Sequence, residues 1–444
     1  MALLAVVICV IDKIKKVVER ENKFLVFNSN GRLVELSNEE YSIFKKFGEL
    51  KEFPTKINEQ EKEVLELLCD LELIEYTNYA TKKIKKQYSS KLYDANSINP
   101  VGDAPFLAHL AVTTNCNMHC KYCSVRNAHQ KINTKELSTE QWKTIIKKLS
   151  DAGVFQIGFT GGEPTLRKDI HELMRFTESV GCVCNLTTNC WDLNEQFIDE
   201  MVKTGIRQCQ VSLDSFNDEI HDKLRGQGSL KRVVKSIELL QKKGIHVGID
   251  CVISTNNIKD ILNMIKKCEE LQIQYVTLIK LKKGDLDEVT FKSLVPSYTD
   301  YGQLIDSLCY RKNEMPNVTI DCASISNLQY TLKDSELKSI PTAGCPVGHN
   351  LVCIAPNGDI YPCAALLTEK FKLGNILTDD FKDLWKKNKL LQSLRNIKNL
   401  VEGKCSSCSR LDFCRAGCRG IAYTLNNKSF YVSDDSCEYK KVEV

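Results

Sequence analysis

The sequence predicts an α/β chain in three parts. These are a small amino-terminal α+β domain over 1–80, a partial (β/α)6 barrel over 106–282, and a cysteine-rich carboxyl-terminal domain over 345–444, with a linker at 81–105 and a bridging region at 283–344. Three observations predict this. Six apolar strand-like runs alternate with helical patterns through the middle of the chain, the pattern of a parallel sheet with right-handed crossovers. The last hundred residues hold Cys345, Cys353, Cys363, Cys405, Cys408, Cys414, Cys418 and Cys437, more metal ligand than core. The first eighty residues combine two strand patterns with two helical ones and an apolar end that suits a wing strand.

The bulk composition excludes more than it identifies. With 444 residues, 43% hydrophobic and 27% charged, the chain is of ordinary globular composition and long enough for about three domains. A net charge of +4 against 61 basic and 57 acidic residues calls for neither nucleic acid nor an acidic membrane as partner. The opening MALLAVVICV is too short to span a bilayer and has no basic n-region or cleavage site. It is read as the first element of the first domain. Twenty-one cysteines without an export signal point to a reducing, cytoplasmic setting in which thiols serve metals.

Each element follows from local pattern. KFLVFN and LVELS are strands around the turn Asn28-Ser29-Asn30-Gly31, and Ser37 with Glu40 forms a capping box for the helix after them. EQEKEVLELLCDLELIEY is a second helix running into the wing. The basic run KKIKKQYSSK is a solvated linker. HLAVTTN, FQIGFTGG, VCNLTTN, QCQVSLD, VGIDCVI and YVTLIKL are the six barrel strands, and Ser138 with Gln141 caps the first helix between them. Six units fall short of an eight-stranded barrel, so one side stays open, and chemistry gathers at the strands' carboxyl ends. Asn357-Gly358 turns a hairpin that folds Cys363 back toward Cys345.

The chemistry begins with Cys116, Cys120 and Cys123. Three thiolates at C-x3-C-x2-C leave one iron of a cubane iron-sulfur cluster without a protein ligand, a place to bind and activate a substrate. His119, inside the loop, is the one nearby residue of the kind that would complete a zinc site. The second strand ends in Thr160-Gly161-Gly162-Glu163-Pro164, where two glycines admit close backbone approach and Glu163 adds an acceptor for an ammonium group. The triplet and GGEP together resemble the radical S-adenosylmethionine (SAM) enzymes, over about 106–282. The resemblance implies SAM chelated by the open iron and cleaved to a 5'-deoxyadenosyl radical that abstracts hydrogen. It implies Gly161, Gly162 and Glu163 at the methionyl amino group and Tyr122 near adenine. It further implies Thr188 and Asn189 at the cofactor, Ser212 and Asp214 at ribose or carboxylate, and Arg225 at the methionyl carboxylate, where a solvated arginine is the plain alternative. Cys190 stands where that family usually has glycine, and is read as a small packed residue.

The carboxyl-terminal register Cys345-x12-Gly358-x4-Cys363, Cys405-x2-Cys408-x5-Cys414-x3-Cys418, then Cys437 resembles the SPASM extension, which implies two auxiliary [4Fe-4S] clusters beside the SAM cluster. In that family's arrangement Cys405, Cys408, Cys414 and Cys437 bind one and Cys345, Cys363 and Cys418 the other. For the missing ligand Cys322 is favoured, with Cys353 or an open site for a substrate thiolate as alternatives. Cys9, Cys69, Cys182, Cys184, Cys209, Cys251, Cys268 and Cys309 are read as buried small hydrophobes.

The amino-terminal pattern resembles the winged-helix-like RiPP recognition element, which implies a precursor-peptide leader bound as an added strand on a sheet edge. The whole resembles sactipeptide- and ranthipeptide-type maturases. Implied are thioether crosslinks from cysteine sulfur to carbon, auxiliary clusters accepting the second electron, and a flavodoxin- or ferredoxin-type donor. Carbon-carbon crosslinks of the Lys-Trp kind, formylglycine formation and, in a different class, an iron-sulfur sensor with a winged-helix head are the alternatives.

Overall fold

The computed structural model describes residues 6–8, 14–20, 23–28, 33–48, 58–70, 75–77, 104–126, 136–273, 275–284, 286–310, 319–321, 345–409, 411–425 and 429–433. The turn at 29–32, most of the linker, Cys322 and Cys437 lie outside them.

Two small sheets form the amino-terminal part. β1 (Val6–Ile8) pairs antiparallel with β5 (Glu75–Thr77), so the wing closes on the first apolar run. β2 (Ile14–Arg20), β3 (Lys23–Asn28) and β4 (Leu33–Ser37) make an antiparallel sheet in that order. The sequence pattern contains β3 and β4 but not β2. IKKVVER sets like residues side by side, so no face alternates, and hairpin pairing with the neighbouring β3 makes it a strand. Helix α1 (Asn38–Gly48) starts on the expected capping box. Glu40 N donates to Ser37 Oγ at 3.2 Å, and Ser37 N donates to Glu40 Oε2 at 2.7 Å. Helix α2 (Glu59–Asp70) packs beside it, with Leu36, Phe44, Leu65 and Leu68 buried.

The main sheet has ten strands. β6 (Leu107–Thr113), β7 (Gln156–Gly161), β8 (Val183–Thr188), β9 (Gln208–Ser212), β10 (His246–Ile253) and β11 (Tyr275–Lys280) are the six barrel strands, all parallel. The sheet continues beyond them on both sides. β12 (Thr319–Asp321), from the bridging region, pairs parallel with β11. On the other side β13 (Leu351–Ile354) pairs parallel with β6, and β14 (Asp359–Tyr361) and β15 (Gly374–Asn375) follow antiparallel. The cysteine-rich domain is therefore built onto the barrel's own sheet.

Helices α3 (Thr139–Ala152), α4 (Ile170–Ser179), α5 (Glu195–Lys203), α6 (Asp218–Arg225), α7 (Ser229–Lys242) and α8 (Ile261–Glu270) connect the strands. The side chains at Ser138 and Gln141 form the expected reciprocal cap on α3. Alternation decides the faces. Leu110, Val112, Ile157, Phe159, Leu186, Val211, Ile249 and Leu278 point outward, where Trp142, Ile145, Ile146 and Leu149 of α3 join the same core. Phe381 and Trp385, from a helix after β15 (Phe381–Lys387), enter that core too. Cys182, Cys184, Cys190, Cys209, Cys251 and Cys268 are buried within it, as small hydrophobes would be.

Candidate active site and cluster cysteines

The residues left facing the lumen are polar. His109, Asn185 and Gln210 sit on β6, β8 and β9, each at a position alternate to the core-facing residues. Asn185 Oδ1 and Gln210 Oε1 are buried with no hydrogen-bond partner among the described residues. Gln210 lies across Gly248, where an added Cβ would sit 1.8 Å from its Oε1. Burial, with the charge of Lys282 adding to it, pushes the His109 imidazole down to about 4, so His109 lines the lumen as a neutral polar group.

The cysteine triplet occupies the loop after β6, at the carboxyl end of the sheet. Cys116 is exposed, and Cys120 and Cys123 are half-buried. Asn189 Nδ2, from the end of β8, lies 3.9 Å from Cys116 Sγ and donates to Asn117 Oδ1 at 2.9 Å. Partial desolvation raises the Cys116 thiol although the residue reaches the surface, and burial pushes Cys120 up to about 11; the charge of Cys123 adds to both shifts and that of Cys116 to the second. Three thiols close enough to feel one another, on one loop with a donor aimed at one of them, suit a cluster that accepts thiolates on separate irons. Among the described residues no group of three His, Cys, Asp or Glu side chains converges as a single metal ion requires.

The glycines of GGEP do a job the sequence does not reveal. A Cβ on Gly161 would lie 2.4 Å from Thr113 O, and one on Gly162 would lie 2.1 Å from Asn115 O. Gly162 N and Glu163 N donate to those two carbonyls at 2.8 and 2.7 Å. The close approach they allow is to the backbone that enters the cysteine loop. Glu163 is buried, and its carboxylate accepts from Thr165 N, Thr165 Oγ1, Thr188 Oγ1 and Asn189 N at 2.7 to 3.1 Å. Burial raises its affinity for a proton while these donors oppose the shift. Glu163, Thr188 and Asn189 are thus one network, and Oε2, with a single donor, keeps room for another.

Cys190 has a left-handed backbone at φ +60°, which explains why glycine suits that place. Ser212 ends β9 beside Asp250 of β10. Asp214 is fully buried and its oxygens are taken. Arg225 Nε and Nη2 donate at 2.7 and 3.2 Å, Val252 N at 3.0 Å, and the Tyr122 hydroxyl also donates. Arg225 is therefore a buried, paired cation rather than a solvated one, with the Tyr122 ring 5.4 Å from its guanidinium carbon. Two residues absent from the sequence reading also hold the loop. Arg126 Nη2 is 3.4 Å from the carbonyls of Met118 and Cys120, and Glu136 Oε1 accepts from Thr113 Oγ1 and Thr114 N, both at 2.8 Å. Only proximity in the fold reveals them.

In the carboxyl-terminal domain Gly358 has φ +85°, but the turn is a three-residue one. Ala355 N pairs with Asp359 O at 2.8 Å, around Pro356, Asn357 and Gly358. Cys353 lies across from Tyr361 in the hairpin and packs in one apolar cluster with Cys345 and Cys363. Burial pushes the Cys363 thiol up to about 12, and Cys345 and Cys418 lie near enough to contribute. The structure thus brings together Cys345, Cys363 and Cys418. Cys405 is buried, and Cys408 and Cys414 are half-buried. Cys408 N donates to Cys405 O at 3.1 Å. The buried Arg419 spans Phe430 O and Val432 O at 2.5 and 2.8 Å, tying this helix-poor segment together.

Comparison with known proteins agrees with this layout. The radical SAM superfamily profile matches residues 110–268, and that of the SPASM iron-sulfur cluster-binding domain matches 345–409. AdoMet-dependent heme synthase of Oleidesulfovibrio alaskensis is 26% identical over 342 residues, covering 74% of this chain and 86% of the relative. Mycofactocin maturase MftC of Mycolicibacterium smegmatis is 29% identical over 326 residues, covering 72% and 80%. The crystal structure of Streptococcus suis SuiB bound to precursor peptide SuiA is similar in fold, with a TM-score of 0.66 at 19% identity over 96% of this chain and 99% of SuiB. The chain thus carries a radical SAM domain in its barrel and a SPASM domain after it.

Proposed function

We propose that this enzyme crosslinks a ribosomally made precursor peptide, joining a cysteine sulfur to a carbon of another residue. The observation that carries the reading is the amino-terminal sheet, whose order β2-β3-β4 leaves β2 and β4 as edges among the described strands. An edge offers main-chain donors and acceptors that a leader peptide can pair with largely regardless of sequence. Mycofactocin maturase and the SuiB complex with its precursor peptide support a peptide substrate.

Cys116, Cys120 and Cys123 are the proposed ligands of the SAM cluster. Cys405, Cys408, Cys414 and Cys437 are proposed for one auxiliary cluster, and Cys345, Cys363, Cys418 and Cys322 for the other. A cluster held by the first set would, with SAM bound, supply one-electron chemistry that ends in hydrogen-atom abstraction. Glu163 Oε2, with a single donor among the described residues, would accept from the methionyl ammonium, and Arg225 Nη1, which does not bond Asp214, would donate to the carboxylate. Thioether formation removes two hydrogens from the peptide. One would leave as a hydrogen atom to the group generated from SAM, and the other as a proton plus an electron, for which the auxiliary clusters are the proposed sink.

The test is anaerobic reaction with SAM, dithionite and the peptide encoded beside the gene. The reading expects 5'-deoxyadenosine and a peptide lighter by two hydrogens per crosslink, with that cysteine protected from alkylation. A mass loss in a cysteine-free peptide would instead establish the carbon-carbon alternative. The heme synthase relative supports a second reading, which an unchanged peptide in the presence of 5'-deoxyadenosine would favour.

A further inference from the structure

Tyr122, between two of the cluster cysteines, is 7% exposed and packs with Leu224, Leu281, Phe291 and Leu294. Its hydroxyl donates to Asp214, which lies past β9. Four donors from three residues meet on that one carboxylate: Tyr122, Arg225 Nε, Arg225 Nη2 and Val252 N. A carboxylate has about four acceptor positions, so Asp214 has none left for a ligand. Lys121 N also donates to Leu224 O at 2.9 Å, so the loop is tied twice to the end of α6. From beneath, Asp214 N donates to His221 Nδ1 at 3.2 Å. The arrangement joins the cysteine loop, α6 and β10 through one buried anion. It also neutralises a buried guanidinium near Cys120.

We propose that Asp214 is a positioning residue of the SAM cluster, holding the Cys120–Cys123 arm of the loop through Tyr122 and balancing the charge of Arg225 beside the cluster. This rests on the assignment of Cys116, Cys120 and Cys123 as cluster ligands and is independent of the peptide. Removal of the anion leaves a positive charge next to the cluster, which favours its reduced, more negative state. Removal of the tyrosine hydroxyl alone leaves the charges in place and frees the arm.

The reconstituted enzyme, without SAM and without any peptide, provides the test, so that losing the Arg225 contact proposed for SAM cannot itself move the potential. Two quantities are read: the cluster midpoint potential by EPR titration, and amide hydrogen exchange over 117–125. In Tyr122→Phe, exchange across the arm quickens by roughly tenfold or more, the loss of one hydrogen bond to a charged group, while the potential and the exchange of α3 hold. In Asp214→Asn, the potential moves positive and exchange quickens. The double variant Asp214→Leu with Arg225→Met, which removes both charges and guards against misfolding, returns the potential toward wild type but keeps the fast exchange. Arm exchange unchanged in Tyr122→Phe, or a potential that shifts equally in the single and double variants, overturns the proposal. A failure of peptide crosslinking with these signatures intact touches only the proposed reaction.

Discussion

The two cysteine regions of this molecule are built in opposite ways. Cys116, Cys120 and Cys123 sit on a loop, one exposed and two half-buried, and are fixed by side chains from other strands, Asn189 and Asp214 by way of Tyr122. Cys345, Cys405 and Cys418 are buried and Cys363, Cys408 and Cys414 half-buried, none as open as Cys116, and their region is shaped by a hairpin, an apolar cluster and the Arg419 brace. The difference separates two uses of a thiolate. A loop at the mouth of a polar lumen suits a metal group whose open position must exchange ligand with solvent. Thiols enclosed by apolar packing suit a group that passes electrons and keeps water out.

The largest effect should come from removing either set of cysteines. Cys120→Ala with Cys123→Ala is expected to abolish 5'-deoxyadenosine formation and lower the iron content by about four per chain. Cys405→Ala with Cys408→Ala should lower iron to a similar extent and leave 5'-deoxyadenosine formation in place while the peptide product is lost. Iron assay and chromatography of the nucleoside products check both. Equal loss of the nucleoside in the two variants would break the comparison.

Acid should unfasten the loop region through His221. This residue is wholly buried, and burial pushes its imidazole down to about 4 from an ordinary value near 6.5. Its folded value is the lower one, so the unfolded chain binds more protons between pH 6.5 and 4. Stability is therefore full above 6.5 and falls as pH drops toward 4, by about 3 kcal/mol at most for this one group. Urea midpoints over that range, in wild type and in His221→Gln, should show the slope reduced in the variant.

Gly162→Ala tests how the loop is seated. Its new Cβ meets backbone rather than a movable side chain, so a cost of about 1–3 kcal/mol is expected, with weaker SAM binding by equilibrium dialysis. The smallest effect has the opposite sign. Cys190→Gly relieves a left-handed residue and should stabilise the fold by about 1 kcal/mol, offset by lost packing of a thiol that is 1% exposed. Thermal denaturation measures the net change.

Much of the barrel was legible because period-2 apolar runs and capped helices are local signals, and the cysteine spacings are local too. Three features were not. β2 has no alternation of its own, and β12 is only three residues long after two helices. The parallel pairing of β13 with β6 joins positions far apart in sequence. At the site, Tyr122, Asp214 and Arg225 could each be singled out from sequence context. That they satisfy one another requires their positions in space. The glycines of GGEP were legible as a need for close approach, while the identity of what approaches, the backbone of Thr113 to Asn115, was not.

The β6–β13 pairing has a consequence for how the molecule is made. Leu107 pairs with Leu351, so during synthesis the outer edge of β6 waits for a partner some 240 residues downstream, roughly 12–50 seconds at ordinary ribosome speeds. Throughout that interval the strand leading into the cysteine loop is an uncovered edge. Iron-sulfur delivery to the loop can therefore precede closure of the sheet, and the newborn chain is most prone to aggregate over that same interval.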